Sequence, residues 1–162
     1  MSRLGAVQGD ITHNMGYGNH DFLAGLTEAQ RSEIMALGEV VQIPEGEVVL
    51  GSGERSTYCY LVTKGSVTIA LSTPRVAVSL QVVGPGEVFG WSALLKAQDS
   101  RFEVRAREAT TAVRISGVTL AERCRRNPDL GVELLLRFLA VVGERVSATE
   151  AVFAEWCGIR RS

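Results

Sequence analysis

The sequence has few of the residues from which metal sites and many catalytic sites are built. Its 162 residues include 2 histidines and 3 cysteines. His13 and His20 lack a third metal ligand, and no two cysteines have the two-residue spacing of a metal knuckle or redox motif. No serine–histidine–acid set and no pair of catalytic carboxylates can be assembled. We therefore predict no metal site and no enzyme activity.

An excess of one charge and a long apolar run are also missing. The chain carries 17 basic and 18 acidic residues, a net charge of −1, whereas nucleic-acid-binding surfaces normally show a basic excess. No apolar run reaches the roughly 18 residues of a membrane span, and the N-terminal segment has no apolar signal-peptide core. We therefore expect a cytoplasmic protein that does not insert into a membrane. The length and the 46% of hydrophobic residues are typical of one globular domain.

Short apolar runs separated by glycine and proline turns dominate the middle of the chain. Residues 1–20 show little periodicity and predict a flexible N-terminal arm. A capping-box pattern from Thr27 to Gln30 predicts a helix over 28–37, ended by Gly38. The later runs recur at intervals of about 8–12 residues, which is typical of a small antiparallel sandwich or barrel. The predicted strands are 40–43, 48–50, 57–63, 66–71, 76–83, 88–89, 102–106 and 110–115, followed by a short helix over 118–125.

A long helix is predicted over residues 127–157, followed by a tail over 158–162. Asn127 suits the N-cap and Pro128 the first helical position. The apolar surface covers more than one stripe, so one face can pack on the domain and another on a partner helix. Residues at three- and four-residue spacing mark this pattern: Leu135, Phe138, Val142, Val146 and Thr149. We predict a homodimer through residues 130–156; the alternative is a single helix lying across its own barrel.

One stretch combines a strand end, a glycine and a helix start. Gly84-Pro85-Gly86 forms a turn, Val88-Phe89 leads into Gly90, and a helix-competent run follows from Ser92. A glycine between a strand and a helix is a place where backbone N–H groups can point at an anion. A turn into a purely structural helix has the same local sequence, so both interpretations stay open at this point.

Taken together, these motifs resemble the cyclic-nucleotide-binding domain of the catabolite activator protein family over residues 20–156. The residues that carry the resemblance are Gly53 and Gly65 around the strand 58–62, Gly84 to Gly90 as the lead-in to a phosphate-binding cassette, Val104-Arg105-Ala106 as the strand leaving it, and Asn127-Pro128-Asp129 as the start of a dimerisation helix. The resemblance implies a mainly β fold with flanking helices. Its centre is an eight-stranded, jelly-roll-like antiparallel β-roll, followed by a long C-terminal dimerisation helix.

The cassette departs from the family pattern. Typical members follow Phe-Gly with a glutamate that accepts hydrogen bonds from the ribose; here Trp91, a donor only, takes that position. The position of the family's cassette arginine is occupied by Ser100 here, and Arg101 follows one residue later. In a regular strand the Arg101 side chain would face away from the ligand, whereas a loop could turn it inward. In the catabolite activator protein a residue of the long helix contacts the base of the nucleotide, and the matching position here is Arg145. The resemblance thus implies these ligand-binding residues: Phe89, Gly90, Trp91, Ser92, Ala93, Ser100, Arg101 and Arg145.

Two functions follow from the resemblance. The first is a stand-alone sensory or regulatory domain that binds a small anionic ligand, either cyclic AMP or cyclic GMP with altered contacts or another molecule, and signals through its long helix. The second is a dimeric adaptor whose pocket is degenerate because the Trp91 ring fills the nucleotide's place. No helix-turn-helix follows the long helix in this sequence. We therefore expect no specific DNA binding by this chain alone.

Overall fold

Eight antiparallel strands form two four-stranded sheets in the computed structural model, which describes residues 20–95 and 99–158. The sheet orders are β1-β8-β3-β6 and β2-β7-β4-β5. The strands are β1 Gly38–Ile43, β2 Val48–Leu50, β3 Tyr58–Lys64, β4 Val67–Ser72, β5 Ala77–Val83, β6 Val88–Phe89, β7 Phe102–Ala106 and β8 Thr110–Ser116. The helices are α1 Glu28–Met35, α2 Gly117–Arg126 and α3 Pro128–Trp156, with short 3₁₀ helices at Asp21–Leu23 and Trp91–Leu94. The predicted β-roll with a long C-terminal helix is confirmed.

Strand β3 is buried on both faces and separates two apolar cores. Cys59 and Leu61 pack towards the helices, whereas Tyr60 and Val62 point into the roll between the two sheets. Successive side chains of a strand lie on opposite faces, so one strand serves both cores. The core inside the roll lies beside the candidate site, and the core under the helices holds α1, α2 and α3 against the roll.

Helix α1 begins as predicted and ends earlier than predicted. Thr27 and Gln30 form the capping box, with hydrogen bonds of 2.9 and 3.2 Å. The helix ends at Met35, and Gly38 is the first residue of β1 rather than a helix terminator. A Cβ atom at Gly38 would lie 2.4 Å from a Val113 methyl group, so close packing on β8 explains this glycine.

Helix α3 packs on its own domain along one side. Leu130, Leu134 and Phe138 are buried in the core under the helices, and the Phe138 ring lies 4.8 Å from the Phe22 ring, centroid to centroid. Of the residues at three- and four-residue spacing, Phe138 therefore packs on its own domain. Asn127 caps the helix as predicted, because its side-chain oxygen accepts a hydrogen bond from the Leu130 N–H.

His20 belongs to the folded domain, although the sequence placed it in the N-terminal arm. It is buried, its Nε2 atom lies 2.8 Å from the Val62 carbonyl oxygen, and the Phe22 N–H donates to its Nδ1 atom. These contacts require a neutral ring with the proton on Nε2. Desolvation by burial lowers the pKa of His20 below its ordinary value of 6.5, against the opposing effects of the Val62 carbonyl and the Asp21 charge. The rest of the predicted arm lies outside the described residues.

A His20→Gln variant is expected to lose part of the pH dependence of stability. Because the pKa of His20 is lower in the folded state, the unfolded chain takes up the proton first as the pH falls through 6.5. This histidine therefore makes the wild type less stable at acidic pH, by no more than about 1.4 kcal/mol per pH unit. Glutamine keeps an N–H donor for Val62 and does not titrate. Urea unfolding between pH 7.5 and 5.5 measures the effect, and equal pH slopes in the two proteins would contradict it.

Candidate functional site

A cavity of about 710 Å³ opens into the roll beside the cassette. This volume lies within the range of roughly 300–1,000 Å³ that is usual for small-molecule sites. Its wall combines residues from the cassette, from the chain before β7, from the sheet β2-β7-β4-β5 and from α3. The lining residues are Leu50, Ser52, Gly53, Ile69, Gly90, Trp91, Ser92, Asp99, Ser100, Arg101, Phe102, Val104 and Arg145.

Gly90 shapes the cassette end of the cavity. Its φ angle is +79°, and a Cβ atom there would lie 2.4 Å from the Tyr58 carbonyl oxygen, so only glycine fits. The chain turns at Gly90 into the 3₁₀ helix Trp91–Leu94. Within the described part of the chain, the backbone N–H groups of Trp91 and Ser92 have no acceptor. The turn therefore leaves two donors for an acceptor-rich ligand.

Trp91 forms part of the wall and leaves the cavity open. Its side chain is partly buried and packs against the core under the helices, together with Leu94. The volume of about 710 Å³ is what remains with the indole in this position. The expectation that the Trp91 ring fills the place of a ligand is therefore not met.

Phe89 and Ala93, two of the predicted ligand-binding residues, are not among the residues that line the cavity. Phe89 is buried in the roll, where its ring stacks on Tyr60 with a centroid distance of 4.6 Å. The carbonyl of Ala93 touches the first residue of α2, since a Cβ atom on Gly117 would lie 2.1 Å from it. Both residues support the site instead of lining it.

Ser100 and Arg101 lie in the bend that precedes β7, and both line the cavity. The Ser100 hydroxyl donates to the Phe102 carbonyl at 2.8 Å, and the Ser100 carbonyl accepts from the Gly53 N–H at 2.6 Å. The hydroxyl and the carbonyl of Ser100 thus brace the loop. Arg101 lies in the bend before the regular strand and is exposed. Its carbonyl accepts from the Ser52 hydroxyl at 3.3 Å.

Arg145 brings a buried cation from α3 to the cavity. It is only 7% exposed, and its Nε atom donates to the Gln81 side-chain oxygen at 2.7 Å. No other residue that the structure describes accepts from its two Nη groups. Neither group is fully buried, since no fully buried side-chain nitrogen or oxygen of the described residues lacks a hydrogen-bond partner. Desolvation by burial lowers the pKa of Arg145, and the charge of Glu87 opposes this shift. An arginine remains protonated even so, which leaves four N–H bonds for a ligand.

Asp99 and the apolar wall were not identified from the sequence. Asp99 forms an ion pair with Arg55 at 3.7 Å, and both side chains are largely exposed, so the pair is weak. It supplies a carboxylate acceptor at the cavity, which the Trp91 position lacks. Alternation along β4 and β7 could have identified Ile69 and Val104 as inward-facing, whereas the Arg55–Asp99 pairing has no local sequence signal.

Residues 20–95 and 99–158 offer neither a cluster of metal ligands nor a membrane-spanning helix. No group of three or more histidine, cysteine, aspartate or glutamate side chains in these ranges could hold a metal ion. Nor does the same part of the chain contain a helix of the length and apolarity that crossing a bilayer requires.

Comparison with known proteins agrees with this architecture. A sequence model of the cyclic nucleotide-binding domain matches residues 40–127, more than half of the chain. The chain belongs to this family. A crystal structure from Geobacter metallireducens GS-15, of a protein inferred to bind cyclic nucleotides, is 28% identical with a TM-score of 0.69 and covers 80% of this chain and 94% of its own.

Two further similar proteins are larger than this chain. The Thermus thermophilus catabolite activator protein shares the fold, with a TM-score of 0.70 and 20% identity over 85% of this chain and 63% of its own. An inferred potassium channel protein of Rhodopseudomonas palustris is 31% identical over 105 residues. The match spans 65% of this chain and only a quarter of that relative. The family is one of regulatory and sensory domains, and none of the three names is that of an enzyme.

Proposed function

We propose that the chain is a ligand-sensing regulatory domain, in which residues 21–126 bind a small anionic ligand and the helix over 127–157 transmits the signal. The ligand proposed first is a cyclic nucleotide. The observation that carries the proposal is Arg145, a buried cation from the long helix whose Nη groups face no described protein acceptor at a cavity of about 710 Å³. Neither Nη group is fully buried, so an acceptor group of a ligand can reach both and form charge-assisted hydrogen bonds, which are stronger than neutral ones.

A chain of close backbone contacts supports transmission from the cassette to the long helix. Gly117 at the start of α2 touches the Ala93 carbonyl of the cassette, and Gly131 of α3 touches the Cys124 carbonyl of α2. A movement of the cassette on ligand binding would therefore press on α2, and α2 on α3. Arg145 gives the ligand a second and direct connection to α3. A ligand shifts such an equilibrium only through contacts that differ between the two states, so the proposal requires that these contacts change when the ligand binds.

A second copy of the chain is the proposed partner of α3. The residues at alternating four- and three-residue spacing, called the outer face below, are Leu135, Leu139, Val142, Val146, Thr149, Phe153 and Trp156. Most of them are at least half exposed although they are apolar. This spacing is that of a coiled-coil seam, which buries such residues against an equivalent helix. The ligand-free adaptor, the alternative function, would use the same outer face and leave the cavity empty.

Ligand-dependent stability separates the two functions. A nucleotide present at 100 times its dissociation constant is expected to raise the free energy of unfolding by about 2.7 kcal/mol. Arg145→Met should abolish this increase, because the long apolar side chain keeps the packing and removes the donors. Arg75→Met, an exposed arginine in the β4–β5 turn, is the matched control and should keep the full increase.

Thermal unfolding with cyclic AMP and cyclic GMP gives the measurement, and native mass spectrometry of freshly purified protein detects any copurified molecule. If neither nucleotide changes the stability and no molecule copurifies, the adaptor function is favoured. A cytoplasmic location, the lack of enzyme activity and the lack of specific DNA binding remain predictions.

A further inference from the structure

The outer face gives every residue beside it on α3 a position in a heptad. Its members take positions a (Leu139, Val146 and Phe153) and d (Leu135, Val142, Thr149 and Trp156). Position g stands just before each a, and position e just after each d, so these two positions flank the outer face. Between residues 135 and 157 the flanks carry two charged residues, Arg145 at position g and Glu150 at position e. Their charges are opposite.

Arg145 and Glu150 do not pair within one helix. Side chains three or four residues apart meet on a helix surface, whereas a spacing of five residues places them on different sides. Glu150 is exposed, and none of the ion pairs within the described part of the chain includes it. Glu87, whose charge acts on Arg145, accepts instead from the Gly84 N–H at 2.6 Å. Both members of the candidate pair therefore have capacity for a group outside their own protomer.

A parallel pair of α3 helices brings these two groups together. In such a pair, position g of one helix faces position e of the following heptad on the other helix, and ion pairs form there. Arg145 and Glu150 stand at g and e of consecutive heptads. On the basis of the proposed self-association, we infer that Glu150 of a second copy pairs with Arg145 and fixes the two helices in parallel. Two-fold symmetry makes the pair twice.

The position of Arg145 disfavours the antiparallel arrangement. Arg145 lies near the middle of the outer face, between Val142 and Val146. In an antiparallel pair position g faces position g, so full overlap of the two outer faces would bring both copies of Arg145 together. Like charges that meet at an interface are unfavourable. Charges at the flanking positions set the orientation of paired helices, and here they favour the parallel one.

The inferred ion pair lies where the outer face meets the cavity. Arg145 lines the cavity, and its Nε atom is already bonded to Gln81. A carboxylate accepts two N–H bonds from a guanidinium, so two of the four Nη bonds stay available to a ligand. Glu150 of the second copy and a ligand in the cavity thus bind the same cation. This shared contact connects occupancy of the cavity to the interface.

Glu150→Arg tests the inferred pair directly. Because Glu150 is exposed, the variant should fold like the wild type, and it places a second cation beside Arg145 in both pairs. The dissociation constant of the dimer should rise about 10- to 100-fold. Glu144→Arg is the matched control, since Glu144 is exposed on α3 at position f, away from the outer face. It should leave the constant unchanged. Sedimentation equilibrium without nucleotide measures all three proteins.

A mixture of Arg145→Glu and Glu150→Arg chains provides a second test. Each homodimer carries two pairs of like charge, whereas the mixed dimer carries two pairs of opposite charge. The mixed dimer should therefore predominate over both homodimers in native mass spectrometry. Mixing would not repair an effect that a substitution exerts only through the packing of its own domain.

The outcomes separate this inference from the proposed function. Equal dissociation constants for Glu150→Arg and the wild type, or equal weakening by Glu144→Arg, overturn the ion pair and leave the proposed dimer and ligand binding standing. Statistical mixing of two folded variants overturns it as well, and the Glu150→Arg comparison does not depend on the folding of Arg145→Glu. A wild type that is monomeric at every concentration overturns the inference together with the proposed self-association, while ligand-dependent stability is still measured separately.

Discussion

Replacing Leu139 with glutamate is expected to convert a dimer of this chain into a monomer. Leu139 is 66% exposed and lies within the outer face of α3. In a two-stranded seam its two copies meet, so the substitution would bury two like charges without counterions. Breaking an interface in this way costs several kcal/mol, which is enough to dissociate a dimer at micromolar concentration. Sedimentation equilibrium gives the molecular mass directly.

Val118→Glu is the control for this experiment. Val118 is 67% exposed, so the chemical change and the starting exposure match those at Leu139, but it lies on α2 and off the outer face. This variant should remain dimeric. Circular dichroism spectra of both variants should match that of the wild type, because neither side chain contributes to the core. A dimeric Leu139→Glu protein, or two variants that dissociate equally, would mean that the outer face is not the interface.

Gly90→Ala is expected to lower the free energy of unfolding by about 2–5 kcal/mol. A positive φ angle costs a residue with a Cβ atom about 1–2 kcal/mol. The clash with the Tyr58 carbonyl adds about 1–3 kcal/mol, because backbone must move to relieve it. The same movement would displace the N–H groups of Trp91 and Ser92. Ligand affinity should therefore fall together with stability.

Gly46→Ala isolates the backbone part of this effect. Gly46 has the same φ angle of +79°, and a Cβ atom there would meet nothing within 4 Å. The free energy of unfolding of Gly46→Ala should therefore fall only by the roughly 1–2 kcal/mol that the positive φ angle costs. Urea unfolding of the two variants under identical conditions gives both values. Equal losses would show that the close approach of Gly90 to Tyr58 contributes nothing.

The strands of this fold could be predicted because their signals are local. Alternation of apolar residues and the glycine turns at Gly46, Gly65 and Gly86 determine where strands start and end, and each of these glycines has a positive φ angle. The caps of α1 and α3 depend on residues within three positions of the helix start, and both were predicted. The β-roll followed from the order of these elements once the family resemblance was recognised.

The features that could not be predicted from the sequence depend on contacts between distant segments. Phe138 and Leu139 are adjacent and equally apolar, and only the packing of α3 decides that the first is buried and the second exposed. The direction of the Trp91 ring depends on the core under the helices, which accepts the indole and so leaves the cavity open. The role of Ser100 in bracing the loop likewise requires Gly53, which is distant in the sequence.

The pairing of β1 with β8 sets the order in which this domain can be made. Gly38 stands opposite Ile115, so the first and last strands of the roll are neighbours in one sheet. A chain emerging from the ribosome must wait for β8 before this sheet can close, and until then the edges of β1 and β3 are unpaired. Folds with such distant pairings fold slowly, on the order of milliseconds to seconds. Exposed strand edges in the unfinished chain are open to aggregation during that interval.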